Sequence, residues 1–284
     1  MAKVELKEYG YAGKTAEEVV SAWKRNVLLA RVFAIVVSIA VIVAMIVWRG
    51  IHSWVDVLLT IVFLAIVLLF AYGALTREFL EVQKILTTGC DPKLLRKVLE
   101  LRLSEQLRES DRENMGVVCA QAAALAGDGE AALAMVKEIE ASSPKEPAQV
   151  LALNARATVA RQAEDLEGLR SLREQVATLQ KKGGKASAMA GQVLDSIDIG
   201  IALCTGNYDE ARGLANKLAK ESPSRQAAVA REFAWAQACE REGVLDEAYD
   251  HYAFVAEKGG TLNAQQVAAK WIKSHKSAKR SSKG

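Results

Sequence analysis

Residues 27 to 48 (VLLARVFAIVVSIAVIVAMIVW) and 54 to 76 (WVDVLLTIVFLAIVLLFAYGALT) are two apolar runs separated by only five residues, RGIHS. An α-helix rises 1.5 Å per residue, so about 20 apolar residues cross a hydrocarbon core roughly 30 Å thick, and each run reaches that length. The sequence therefore predicts a transmembrane hairpin over residues 27 to 76. A five-residue connection is too short to cross back, so the two spans are antiparallel and both chain ends share one side.

Basic residues decide which side. Lys3, Lys7, Lys14, Lys24 and Arg25 precede the hairpin and Arg77, Lys84, Lys93, Arg96 and Lys97 follow it, against Arg49 alone in the turn. Excess Lys and Arg stay on the cytoplasmic side, which places both termini in the cytoplasm and the hairpin in a cell (inner) membrane of the bacterial type. Trp48 and Trp54 flank the turn, and Trp23 and Tyr72 sit near the opposite interface, as aromatic belts require. Arg31 lies six residues past Arg25, within snorkelling reach of the headgroups, whereas Asp56 falls at the far end of the bilayer and is no partner for it. The first run is too long for a signal-peptide core and a second follows directly, so no cleavage is expected. Ala30, Ala34 and Ser38 form a small-residue ridge suited to close helix packing.

About 200 of the 284 residues remain for a cytoplasmic domain of ordinary size. Net charge is +3, yet Lys258 and the six Lys and Arg residues between 270 and 283 supply +7 with no acid among them, so the preceding chain is net −4. Residues 276 to 284 read as a basic disordered tail able to contact anionic lipid. Nucleic acid is the weaker option, since no aromatic residues interleave the basic ones. Cys90, Cys119, Cys204 and Cys239 have no CxxC or Cys/His spacing and are expected to be reduced, packed thiols.

In chain order, residues 1 to 26 form a cytoplasmic lead and the start of the first helix. Thr15-Ala16-Glu17-Glu18 is a capping box, from which a helix runs unbroken into the membrane. Residues 77 to 111 form a connecting helical pair: the second span projects as far as Gly89, and Asp91-Pro92 starts a helix with Leu94, Leu95, Val98, Leu99 and Leu103 on one face.

Three stretches then align without gaps: GDGEAALAMVKEIEASSP from Gly127, GNYDEARGLANKLAKESP from Gly206 and GVLDEAYDHYAFVAEKGG from Gly243. Each has a turn Gly, then Ala132, Ala211 or Ala248, then Val136, Ala215 or Tyr252, then Ile139, Leu218 or Val255; Pro144 and Pro223 end the first two. Gly ends one helix, Ala lets the next pack closely and Pro stops it. A degenerate copy lies between the first two, with Leu166, Leu169, Leu172 and Val176 on one face and Glu164 in the glycine position. The anchors Ala132, Leu169, Ala211 and Ala248 are spaced 37, 42 and 37 residues apart, and the longer step is ascribed to the loop at residues 181 to 185. This pattern resembles the second half of a tetratricopeptide repeat. The first helices of the pairs, residues 112 to 126, 147 to 162, 186 to 205 and 225 to 242, lack that family's usual Trp near their start. A last helix from Asn263 through Ile272 caps the array.

The fold class expected is thus all-α, a transmembrane helical hairpin followed by a tetratricopeptide-like α-solenoid over residues 112 to 275. The resemblance implies protein binding on a concave surface lined by the first helix of each pair. In this register Asn114, Gln121, Asn154, Arg161, Phe233, Gln237 and Arg241 point inward, a mixture of amide, cationic and aromatic groups suited to an extended peptide. Chemistry is not signalled. His52, His251 and His275 are scattered and no nucleotide fingerprint occurs. Asp195 and Asp198, one turn apart, read as a solvated face rather than a catalytic pair. No catalytic, metal or cofactor residue is assigned. The expected function is a membrane-anchored scaffold or adaptor; the alternative is an accessory or regulatory subunit of a membrane enzyme or transporter.

Overall fold

The structure is a computed structural model that describes residues 9 to 48, 54 to 142 and 144 to 275. The expected turn at residues 49 to 53, residues 1 to 8 of the expected lead and the basic tail at residues 276 to 284 lie outside them. Among the described residues the chain is all-α, with twelve helices and no strand. It divides into two compact units, residues 10 to 84 and the chain from Ile85 onward together with Tyr9.

The first unit holds α1 (Ala16–Trp48) and most of α2 (Trp54–Thr87). The capping box is present: the Glu18 amide donates to Thr15 Oγ1, and the Thr15 amide donates to Glu18 Oε2. Two of the orphan amides at the helix start are thereby satisfied. α1 and α2 meet where Trp23 packs on Phe79, with ring centroids 6.1 Å apart, and where Asn26 Nδ2 and Tyr11 OH donate to Glu78 Oε2 at 3.0 and 3.3 Å. Beyond this polar knot the side chains turn outward. Leu28, Phe33, Ile35, Leu68, Leu69 and Phe70 are all more than half exposed, an arrangement that water does not favour.

The second unit contains α3 (Pro92–Leu103), α4 (Glu109–Ala126), α5 (Gly129–Ala141), α6 (Glu146–Gln162), α7 (Leu166–Lys181), α8 (Gly184–Thr205), α9 (Tyr208–Glu221), α10 (Arg225–Glu242), α11 (Leu245–Lys258) and α12 (Asn263–His275). Asp91 caps α3 by accepting from the Leu94 amide, and Pro92 takes the first helical position, where no donor is needed. Of the expected α3 face, Leu95, Val98 and Leu99 are buried while Leu94 and Leu103 are half-buried. The second membrane run was expected to stop at Gly89. Instead the left-handed residue is Cys90, at φ 54°, and the Asp91 amide reaches back to the Ile85 carbonyl. Gly89 serves another purpose: a Cβ there would lie 2.6 Å from Tyr9 OH and 2.5 Å from the Ile85 carbonyl oxygen.

From α4 onward each helix packs on its successor, and the even-numbered helices also pack on one another in sequence, α4 on α6, α6 on α8, α8 on α10 and α10 on α12. Odd-numbered helices wedge between them. Leu169, Leu172, Val176 and Leu179 of α7 fill the groove between α6 and α8, and Val136 and Ile139 of α5 that between α4 and α6. Ala211 and Ala215 of α9 do the same between α8 and α10.

Four turns connect even to odd helices with one geometry. Gly127, Glu164, Gly206 and Gly243 have φ of 88°, 54°, 83° and 80°. The amide after each donates to a carbonyl five residues back, Asp128 to Ala123, Asp165 to Ala160, Asn207 to Ala202 and Val244 to Cys239, a Schellman closure of the helix end. Glu164 thus adopts the glycine conformation without being glycine. The anchors that follow, Ala132, Leu169, Ala211 and Ala248, are all fully buried. The longer middle step does not come from the loop at residues 181 to 185, because α7 ends at Lys181 and α8 begins at Gly184. It comes from the helices: α7 has 16 residues against 13 in α5, and α8 has 22 against 17 in α6.

The order then closes on itself, with α12 returning to α4. The Thr261 amide donates to the Cys90 carbonyl, Thr261 Oγ1 donates to Asp91 Oδ1 at 2.6 Å, and a Cβ on Gly127 would lie 2.9 Å from Asn263 Oδ1. Besides segments of α1 and α2, residues Ala186–Thr205 are also long and apolar enough to span a membrane. That segment is a core helix here, with Ala190, Val193, Ile197, Ile199 and Leu203 buried against its neighbours.

Candidate functional site

The five even-numbered helices of the second unit, α4, α6, α8, α10 and α12, line one cavity of about 210 Å³. α4 contributes Leu125, α6 Arg161 and Gln162, α8 Ile199 and Leu203, and α10 the stretch from Gln226 to Gln237; Leu262, Asn263 and Val267 complete it from α12. The walls are mostly apolar, with a small set of amides and one unpaired charge.

Arg161 supplies that charge. It rises from the last turn of α6, and its stem passes over Gly200 of α8, where a Cβ would lie 3.3 and 3.4 Å from Arg161 Cγ and Cδ. Arg161 is half-buried, and that burial alone pulls its guanidinium below the ordinary arginine value, with no acidic group adding an opposing effect. The only acid on the lining, Glu164, is engaged elsewhere: Arg241 Nη2 donates to its Oε1 at 2.5 Å, while Arg241 Nη1 donates to the Leu203 carbonyl at 2.6 Å. Gln226, Gln237 and Asn263 make no side-chain hydrogen bond among the described residues.

The seven residues expected to point inward are therefore placed unequally. Arg161, Phe233 and Gln237 share the cavity. Arg241 is spent on tying α10 to the α6–α7 turn and to α8. Gln121 Nε2 donates to Thr158 Oγ1 at 3.2 Å, leaving Gln121 Oε1 buried without a partner, and Thr158 Oγ1 donates to the Asn154 carbonyl. Asn114 is exposed near the start of α4, and Asn154 is half-buried on α6; neither reaches the cavity. The contributions of Gln226, Leu262, Asn263 and Val267 were missed, because α12 read only as a cap and nothing local in its sequence signals a return to α4.

No protein-family model, curated protein or solved structure matches the chain.

The remaining polar clusters are structural. Asp195 and Asp198, set aside above as a catalytic pair, form ion pairs with Lys217 at 2.7 Å and Arg173 at 2.6 Å. Glu232 accepts from His251 Nδ1 and Arg231; burial pushes its carboxyl up, but these hydrogen bonds outweigh it and hold the group below its usual range. Glu240 accepts from Tyr252 OH at 2.5 Å and Trp271 Nε1 at 2.7 Å, joining α10, α11 and α12. Among the described residues no three His, Cys, Asp or Glu side chains are placed to hold a metal. A larger cleft of about 930 Å³ lies between α3, α4 and α5 and carries Glu100, Glu109, Glu113 and Glu138 beside Arg112 and Lys145. Its acids face both solvent and basic neighbours, so they lack the isolation that marks Arg161.

Proposed function

We propose that this chain is a membrane-anchored scaffold: α1 and α2 span a membrane as a hairpin with both termini cytoplasmic, and a tetratricopeptide-like helical array binds a protein segment. The observation that carries the reading is the contrast between the units. Large apolar side chains cover the outside of α1 and α2, whereas the second unit buries its apolar groups and repeats one turn geometry four times. Repeated helix pairs whose first members line an inner surface suit recognition rather than covalent chemistry. Asn114, Gln121, Asn154, Arg161, Phe233, Gln237 and Arg241 are the proposed contacts, with Arg161, Phe233 and Gln237 at the centre. The exposed apolar surface of α1 and α2 equally suits a membrane partner, which supports the second reading of an accessory subunit of a membrane enzyme or transporter.

Purification of the full chain in mild detergent separates the two. Soluble clients lost from the combined Asn154→Ala, Arg161→Ala, Gln237→Ala variant support the scaffold; a stoichiometric integral partner retained by that variant supports the subunit. Topology is tested in a variant without native cysteines. Cys introduced at Ser53 should react with an impermeant thiol reagent in intact cells and Cys at Ser222 should not; the opposite pattern rejects the orientation.

A further inference from the structure

We infer that the cavity enclosed by α4, α6, α8, α10 and α12 is a binding site for a small organic acid, a single carboxylate on a compact apolar body. Arginine keeps its proton inside proteins, so Arg161 brings a full charge into this enclosure. Removing a charge from water is costly unless an opposite charge or several hydrogen bonds replace the lost solvation. Arg161 is half-buried, so water still reaches it, but among the described residues no group accepts from its guanidinium, and the acid on the lining is held by Arg241. A ligand anion supplies the acceptor that the protein does not.

The surroundings select among anions. A guanidinium offers two parallel donors that match the two oxygens of a carboxylate. The lining has one cation, so a phosphate dianion would be left half-neutralised. Gln226, Gln237 and Asn263 have free amide donors for the remaining carboxylate lone pairs. Ile199, Leu203, Val229, Phe233, Leu262 and Val267 form the rest of the wall and fit hydrocarbon or an aromatic ring. An amino acid is disfavoured, because its ammonium group would need an acid and Glu164 is occupied. At about 210 Å³ the space is below the roughly 300–1,000 Å³ of drug-sized sites, so the acid is small.

The packing supports a dedicated position for the cation. Gly200 leaves room for the Arg161 stem, while a Cβ there would also press on Leu169 Cδ1 at 3.0 Å. The site does not require a protein on the inner surface, so capture experiments on the scaffold reading neither establish nor remove it.

The test uses the full chain in detergent, with thermal unfolding and titration calorimetry against butanoate, hexanoate, benzoate and phenylacetate, each paired with its primary amide, and with inorganic phosphate as a further probe. At least one acid should bind saturably at millimolar concentration or below, with its amide weaker by about tenfold or more, the usual advantage of a charge-assisted pair. Arg161→Met should abolish acid binding while the protein remains folded by circular dichroism, because it removes the charge while keeping the stem. Gly200→Ala should weaken acid binding while the protein remains folded by circular dichroism. Absence of saturable binding by every acid, binding by phosphate alone, equal binding of acid and amide, or undiminished acid binding by a folded Arg161→Met variant would each overturn the inference.

Discussion

The four equivalent turns make a quantitative prediction about single residues. Gly206 and Gly243 have φ near 80° and open space around them, so Ala at either meets only the cost of the left-handed conformation, about 1–2 kcal/mol. For a domain of 150–250 residues each kcal/mol corresponds to roughly 2–4 °C in melting temperature, so each variant should melt about 2–8 °C lower. Gly127→Ala carries the same backbone cost and a second one. Its Cβ would lie 2.9 Å from Asn263 Oδ1 at the start of α12, and overpacking of this kind adds roughly 1–3 kcal/mol.

Glu164 reverses the argument. Glycine there should recover about 1 kcal/mol of backbone strain but lose the ion pair with Arg241, whose carboxylate partner is 60% exposed and worth about 0–1 kcal/mol. The net effect in the parent is near zero. In an Arg241→Met background the pair is already gone, so Glu164→Gly should raise the melting temperature by about 2–4 °C. The assay is thermal unfolding of the full chain in detergent, followed by tryptophan fluorescence, to which Trp235 and Trp271 of the second unit contribute. Equal destabilisation by Gly127→Ala and Gly206→Ala would refute the contact of α12 with the first turn. A loss of stability from Glu164→Gly in the Arg241→Met background would refute the equivalence of the second turn with the others.

Burial pushes the Cys119 thiol up to about 12 and the Cys90 thiol up to about 11, so both stay protonated at pH 8 and should resist alkylation in the native protein while half-exposed Cys204 reacts; mass spectrometry before and after denaturation reads this, and rapid native labelling of Cys90 or Cys119 would contradict the packing. Asp128 is held below its usual pKa by the hydrogen bond from Arg96 and then by the Ala131 amide, so its contribution to stability is present above about pH 4 and lost as pH falls through the lowered value. Asp128→Asn should flatten the fall in melting temperature in that acidic window, and an unchanged slope would count against the pair. Thr261→Val removes the hydroxyl bonded to Asp91 and should cost about 1 kcal/mol by melting, whereas Asp91→Ala also removes the α3 cap and should cost more; equal losses would argue that the closure bond contributes nothing.

Local signals in the sequence were reliable where a few neighbouring residues decide the outcome. The Thr15 box and the Asp91-Pro92 start depend on atoms within one turn, and both form as their spacing requires. Ala132, Leu169, Ala211 and Ala248 were legible because a repeated small or apolar residue at a fixed offset from a turn has few uses other than contact. The readings failed where two local solutions compete. Gly89 looked like the helix stop, but close approach of Tyr9 claims it and Cys90 takes the left-handed position. The Lys and Gly cluster at residues 181 to 185 looked like a long insertion, yet the extra length is helical, since α8 is apolar enough to extend within the core. The cavity was legible only in part. Helical periodicity turns Arg161, Phe233 and Gln237 inward, but whether an inward arginine finds an acid depends on contacts such as Arg241 with Glu164, 77 residues apart in the chain.

Closure changes what the array is as a physical object. In an open stack each pair touches only its neighbours, the end pairs lack one interface, and stability adds along the chain. Here the α11–α12 connection bonds to the start of α3, and α12 packs on α4, so the first and last pairs supply each other's missing interface. The same closure makes the cavity. Four inner helices in a row would leave Arg161 facing an open groove. Leu262, just before α12, and Asn263 and Val267 of α12 add the remaining wall and deepen that groove into a cavity. An anion bound at Arg161 in this cavity therefore stabilises the closed arrangement, because the open groove lacks the wall that completes the site.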